Sequence, residues 1–216
     1  MKAVRDEVGS DFSFQDAMAR DYANLSALAR VLKPKVEAKV GKRVGEEGLV
    51  SALKRMRSES EAASRGFGRV IAGSVLDVRT HVSRLSVERT KRAVQTASTL
   101  LSTYQEGFIQ VSESTSAITL IFDQRLHKQV RRALAGAVVL EEGEDCAAIT
   151  VHSPHEIVST PGCISSFYGQ LSRRQVNVED TVSCFTDTIM VVSMKDAGKA
   201  FAALTELIEG EKEKWA

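Results

Sequence analysis

The chain has little of what usually announces a chemistry. Its 216 residues include one tryptophan, three prolines and three cysteines, and aromatics make up 6%. Cys146, Cys163 and Cys184 have no CxxC spacing and are odd in number, which argues against a disulfide framework or a thiolate metal site and for reduced, packed thiols. Cys163 alone falls in the first turn of an expected helix, where a thiol can be activated, although a small buried hydrophobe is the commoner role. No apolar run approaches the ~18 residues that span a bilayer, and the N-terminus lacks a charged-then-apolar signal pattern, so a soluble, cytoplasmic chain with no membrane partner is expected. The only GFG stretch follows a helix and lacks both GxGxxG spacing and a GK[ST] ending, so it is no phosphate loop. His152 and His155 make an HxxH, but Pro154 between them implies a loop and no third ligand is evident; neither metal nor cofactor is expected. Asp180 and Asp187 lie near Ser183 without a base and an orienting partner, so no catalytic residue is assigned and the chain is not expected to be an enzyme.

Charge is present in quantity but not in excess. The net charge is +1, yet residues 1–70 carry 14 basic against 10 acidic side chains, residues 71–140 carry 9 against 5, and residues 141–216 carry 6 against 13. The acidic final third and mildly basic remainder suggest different roles along the chain. Neither part has the basic footprint of a committed nucleic-acid binder.

Residues 1–65 read as a small all-α domain. Asp11 or Ser13 can cap a helix through Asp21, and Asn24 or Ser26 can cap the next, in which Leu25, Leu28, Ala29 and Leu32 share a face. Pro34 should break that helix and start a short third one ended by Gly41. A fourth is expected from about Glu46 to Ser60, with Leu49, Val50, Leu53 and Met56 inward and Lys54, Arg55 and Arg57 outward. A helix-turn-helix that reads DNA is one interpretation of this unit; a solvated basic face at a helix C-terminus is the plainer one. Gly66, Gly68 and Gly73 mark Ser64 to Gly73 as a linker.

The remainder alternates between periods of two and 3.6. Ala147, Ile149 and Val151 alternate with Ala148, Thr150 and His152 as in a strand with one face in the core. Thr160 suits an N-cap and Pro161 the first helical position, and Ile164, Phe167, Tyr168 and Leu171 follow on one face. A strand carrying Val176, Val178, Val182 and Cys184 on one side, another from Thr188 to Ser193, and a helix from Asp196 to Glu209 complete the order strand, helix, strand, strand, helix. Upstream, the pattern gives a strand over Ser74 to Arg84, a helix from about Ser86 to Glu106, strands at Phe108 to Glu113 and Ala117 to Phe122, a helix from Gln124 to Ala135 and a strand over Ala137 to Leu140. The whole is therefore α+β: a complete βαββαβ unit over 74–142, then a βαββα unit over 145–210 whose last strand is missing or supplied by something else.

The stretch STPGCISSFYGQLSRRQVNVEDTVSCFTDTIMVV resembles an ACT domain, and most of all the regulatory ACT region of aspartate kinases. The resemblance covers residues 145–210; the first unit has Arg84-Leu85-Ser86 where a Pro-Gly loop would stand, making it a degenerate ACT-like copy. Two tandem ferredoxin-like ACT domains behind a helical domain resemble the arrangement of archaeal ACT-domain proteins. The resemblance implies a non-enzymatic regulatory protein binding an amino acid or similar small effector, and homo-oligomers formed through the ACT sheets. It assigns ligand binding to Thr160, Pro161, Gly162, Cys163 and Ile164 at the loop and helix start, and to Asn177, Val178 and Asp180 on the facing strand. A helix N-terminus favours a carboxylate, which gives that assignment a physical basis. An amino-acid-responsive DNA-binding transcription regulator and an ACT-mediated oligomerisation scaffold are the alternatives.

Overall fold

The computed structural model describes residues 1–19 and 22–215, which divide into two compact units, Met1–Gly68 and Arg69–Ala216. In the first, α1 (Lys2–Gly9), α2 (Phe12–Ala19) and α3 (Leu25–Val40) precede α4 (Glu46–Ala72), which runs on past the unit boundary. The Asp11 carboxylate accepts from the amide of Ser13 at the start of α2, and Asn24 accepts from Ser26 and Ala27 at the start of α3. The helix expected through Asp21 is described as far as Ala19, and residues 20 and 21 lie outside the described residues. Two expectations are corrected here. Pro34 sits inside α3 and does not divide it. Its lost N–H and steric clash cost roughly 3 kcal/mol, but continuing the helix buries Leu32 and Val36 on either side of it. Likewise Ser64 to Ala72, where the boundary between the two units falls, is helical, the last part of α4. Gly66 and Gly68 each weaken a helix by about 1 kcal/mol, and the burial of Val70 and Ile71 just beyond them outweighs that.

The second unit is built on one antiparallel sheet of six strands in the order β2-β3-β1-β4-β6-β5. The strands are β1 (Val75–Glu88), β2 (Ile109–Glu113), β3 (Ala117–Asp123), β4 (Val139–His152), β5 (Asp180–Cys184) and β6 (Asp187–Ser193). The helices are α5 (Lys91–Thr103), α6 (His127–Ala133), α7 (Cys163–Arg173) and α8 (Ala197–Trp215). Both central strands are 14 residues long and are paired along their length. Halfway, each carries an extra residue: the register steps from Arg79↔Ala148 to Val82↔Cys146 and then to Arg84↔Gly143. His81 and Asp145, at φ 55° and 54°, occupy these two bulges.

The bulges divide the sheet into two halves with the same topology. In one, Val82–Glu88 of β1 lies between β3 and the start of β4, which gives the strand order of a complete βαββαβ unit. In the other, the end of β4 lies beside β6, β5 lies beyond, and the fourth strand is Val75–Arg79 of β1, paired with Ala148–His152. The strand that the second unit lacked in sequence thus comes from the beginning of the first. The expected strand over Ser74 to Arg84 is longer and serves both halves, and the strand expected over Ala137 to Leu140 is only the start of β4. The helix expected from Ser86 begins at Lys91, because Val87 is buried as a strand residue and Thr90 caps the helix through its hydroxyl at 3.1 Å from the amide of Ala93.

On one side of the first half, Leu85, Val87, Leu120 and Phe122 pack against Ala97 of α5 and Val130 of α6. The equivalent positions of the second half, Ile149, Val151, Met190 and Val192, are fully buried, as are Phe167 of α7 and Leu204 of α8. The alternate strand positions form a second cluster that runs through both halves, with Val82 and Ile121 joined to Cys146, Ala148, Ile189 and Val191. Leu85→Ala and Ile149→Ala, one in each half, should each cost about 2–5 kcal/mol. Because β1 and β4 belong to both halves, either variant should speed amide exchange in β3 and β6 alike; loosening confined to the mutated half would contradict a shared core.

Candidate functional site

The loop after β4 makes a 3-10 turn over His155–Ser159 before α7 begins. Gly162 is the N-cap of α7, in a left-handed conformation at φ 94°, and no side chain caps the helix. Thr160 therefore does not cap as its type suggested: its hydroxyl turns back to donate to the carbonyl of Glu156 at 2.7 Å. Pro161 precedes the helix rather than occupying its first turn, and the carbonyl of Gly162 accepts from the hydroxyls of Ser165 and Ser166. Cys163 is buried, and burial pushes its thiol up to about 11, whereas Ile164 beside it is exposed. The buried face of α7 is Cys163, Phe167 and Leu171, one residue round from the expected stripe. The first half differs at the corresponding place, where Thr90 caps α5 with its side chain.

The strand expected to carry Val176 and Val178 begins only at Asp180, so Asn177 and Val178 lie in the lead-in before β5 and Asp180 is its first residue. The amide of Glu179 donates to the carbonyl of Val191 at 2.8 Å, Asp180 pairs with Val191 and accepts from the amide of Thr181, and Asn177 is exposed. One chain does not bring these residues to the loop. His152 and Cys184 both pair with Asp187, which sets the loop after β4 at the end of β5, whereas Asp180 stands four residues away at its beginning. At about 3.3 Å per residue the two groups are separated by roughly 13 Å along the strand. The hydroxyl contact between Tyr168 and Thr181 ties α7 to β5 near the Asp180 end of that span. Among the described residues, the outer side of β5 is an unpaired sheet edge.

Two charged clusters bound this region, and sequence reasoning missed both. Arg84 is almost fully buried between two carboxylates: its Nη2 lies 2.6 Å from Glu141 Oε1 and its Nε 3.3 Å from Glu179 Oε2. The thiol of Cys146 also reaches Glu179, at 3.5 Å. The available signal was an arginine at a position enclosed by Val82, Leu85 and Val87, since arginine is rarely buried unless paired. At the rim, His152 lies between Asp187 at Nδ1 and Asp77 at Nε2, both at 2.9 Å. His155 packs edge-on against Phe185 instead of joining it. Among the described residues, no group of three or more His, Cys, Asp or Glu is arranged to hold a metal ion.

Both His152 nitrogens can donate to carboxylates only in the imidazolium form, and the hydrogen bonds to Asp187 and then Asp77 raise its pKa above 6.5. The stabilisation is complete below the ordinary histidine pKa and is lost as pH rises through the higher folded value. An NMR titration should find the His152 ring titrating above the ordinary histidine value, and His152→Gln should remove this part of the alkaline loss of stability. For the thiols, alkylation of the native protein should modify exposed Cys184 and spare Cys146 and Cys163, whose thiols burial raises to about 11; mass spectrometry of the alkylated chain reads this directly.

Residues 141–206 match the family model of the ACT domain. No curated protein matches the chain. Among solved structures, the chain is similar to the ligand-free regulatory subunit of aspartate kinase from Thermus thermophilus, with 10% identity over 61% of this chain and 95% of that one and a TM-score of 0.50. The regulatory subunit of aspartate kinase from Thermus flavus gives 12% identity over 64% of this chain and 98% of that one, with a TM-score of 0.51. Aspartate kinase from Synechocystis gives 16% identity and a TM-score of 0.51 over 64% of this chain, which spans 27% of that enzyme. At such identities the likeness is one of fold. The family match and the sheet together identify residues 141–206 as an ACT domain, set in a fold shared with aspartate kinase regulatory subunits.

Proposed function

We propose that the protein is a non-enzymatic, cytoplasmic regulatory module that binds an amino acid or similar small effector at the N-terminus of α7, with the first half of the sheet acting as a degenerate ACT-like copy. ACT domains are typically regulatory modules for small molecules, amino acids above all. The observation that carries the reading is the start of α7, where a left-handed glycine opens the helix and makes no side-chain cap. Such an end is electrostatically suited to a carboxylate, and Gly162 has no Cβ to obstruct its approach.

The separation of the two predicted groups fits a site shared between copies. If two chains pair antiparallel through their β5 edges about a two-fold axis, the Cys184 end of one strand faces the Asp180 end of the other. The loop Thr160–Ile164 of one protomer then lies toward Asn177, Val178 and Asp180 of its partner, and effector binding and dimerisation reinforce each other. Any shift the effector produces is limited by its difference in affinity for the two states.

A thermal-shift screen of the full chain against the twenty amino acids tests this, with sedimentation velocity of the same samples. One or two of them should stabilise the protein, by about 2.7 kcal/mol at a hundred times the dissociation constant, and should favour a dimer. Gly162→Val should abolish the response, because a β-branched residue does not adopt the φ of 94° found there. A flat screen from a protein that stays monomeric at every concentration would rule the reading out.

A further inference from the structure

The half of the sheet without the Pro-Gly loop supplies a charged side chain to the half that has it. Arg84 stands on β1 in the first half, beside Val82 and Leu85, which are completely buried. Its guanidinium passes over β4 at Gly143, where an added Cβ would lie 3.0 Å from Arg84 Nε and 3.2 Å from its Cγ. Beyond Gly143 it meets Glu179, next to Asn177, Val178 and Asp180. Among the described residues, one backbone bond, from the amide of Glu179 to the carbonyl of Val191, ties that lead-in to β6 before the regular pairing of β5 begins at Asp180.

We infer that Arg84 is a positioning residue for the effector site: by holding the Glu179 carboxylate, it fixes the lead-in that carries Asn177 and Val178 and the first residue of β5, Asp180. This deepens the reading given above and rests on it for the role of those three residues. The two carboxylates on Arg84 are not equivalent. Glu141 belongs to the first half and its side chain is 60% exposed, so it neutralises the guanidinium at little structural consequence to the second half. Glu179 is 23% exposed and also receives the Cys146 thiol, so its carboxylate is held from two strands, β1 and β4. A lysine at position 84 keeps the charge but has no fork with which to engage two carboxylates at once.

The experiment compares the full-length wild type with Arg84→Lys, Glu179→Gln and Glu141→Gln, by hydrogen exchange and by thermal shift with each of the twenty amino acids. Exchange over residues 177–181 should rise at least about tenfold in Arg84→Lys and Glu179→Gln while residues 117–123 and 187–193 stay protected. Glu141→Gln should leave 177–181 near wild type. The amino acid that stabilises the wild type should need at least about tenfold more to half-saturate the first two variants. Exchange unchanged at 177–181, or raised equally in all strands, would overturn the inference, as would a wild-type response that survives the loosening intact. A wild type that answers to no amino acid, with 177–181 still selectively loosened, would remove the effector reading and leave Arg84 as the group that orders this strand.

Discussion

The structure of the second unit depends on the antiparallel pairing of β1 with β4. Two strands of 14 residues run side by side past the length of an ordinary strand, and at their midpoint each takes in one extra residue. Without the bulges at His81 and Asp145, the alternation of each strand would put the same set of side chains on the same face throughout. With them, Leu85 and Val87 serve one half and Ile149 and Val151 the other, so each strand opens one half and closes the other. A ferredoxin-like unit needs its fourth strand beside its first. The first half has that strand in its own stretch of chain, at the start of β4, whereas the second takes Val75–Arg79 from the beginning of β1.

This sharing explains where the charges are placed. A buried guanidinium is tolerable only if carboxylates replace the water it loses, and Arg84 takes one from each half. His127 of α6 makes a similar connection, with one ring nitrogen 3.2 Å from Ser83 on β1 and the other 2.8 Å from Glu142 on β4. His152 joins β1, β4 and β6 at the rim. Ion pairs on exposed side chains add little to stability on their own. Their position along the β1–β4 seam matters more, because each selects the register in which the halves close.

Much of this was legible in the residues. The period of two over 147–152, the helical stripe centred on Phe167 and Leu171, and the order of elements after them gave the second half correctly, since one-sided burial imposes those periods. The missing fourth strand was also visible as an absence. Its source was not, because Val75–Arg79 pairs with residues more than sixty positions later and nothing local records the partnership. The sequence ends a strand at Leu140 and starts the next unit at 145, yet the run between is mid-strand in β4: Glu141 and Glu142 pair with Arg84, His127 and Arg131. Glycines misled in the same way at 66 and 68, where helix propensity yielded to the burial of Val70 and Ile71. At the candidate site, sequence supplied the glycine that opens α7 but not the distance to Asn177, which follows from the direction of β5 relative to its neighbours.

The double use of β1 also sets an order of events as the chain leaves the ribosome. Val82–Glu88 can pair with β3 as soon as residues 117–123 emerge, but Val75–Arg79 has no partner until β4 is complete. Through that interval the nascent chain carries an open strand end with Val75 and Val78 on it, a template for pairing with the wrong chain. Asp77 and Arg79, which alternate with Leu76 and Val78, then serve before folding as well as after it, since a charge at every second position keeps a waiting strand from recruiting a stranger.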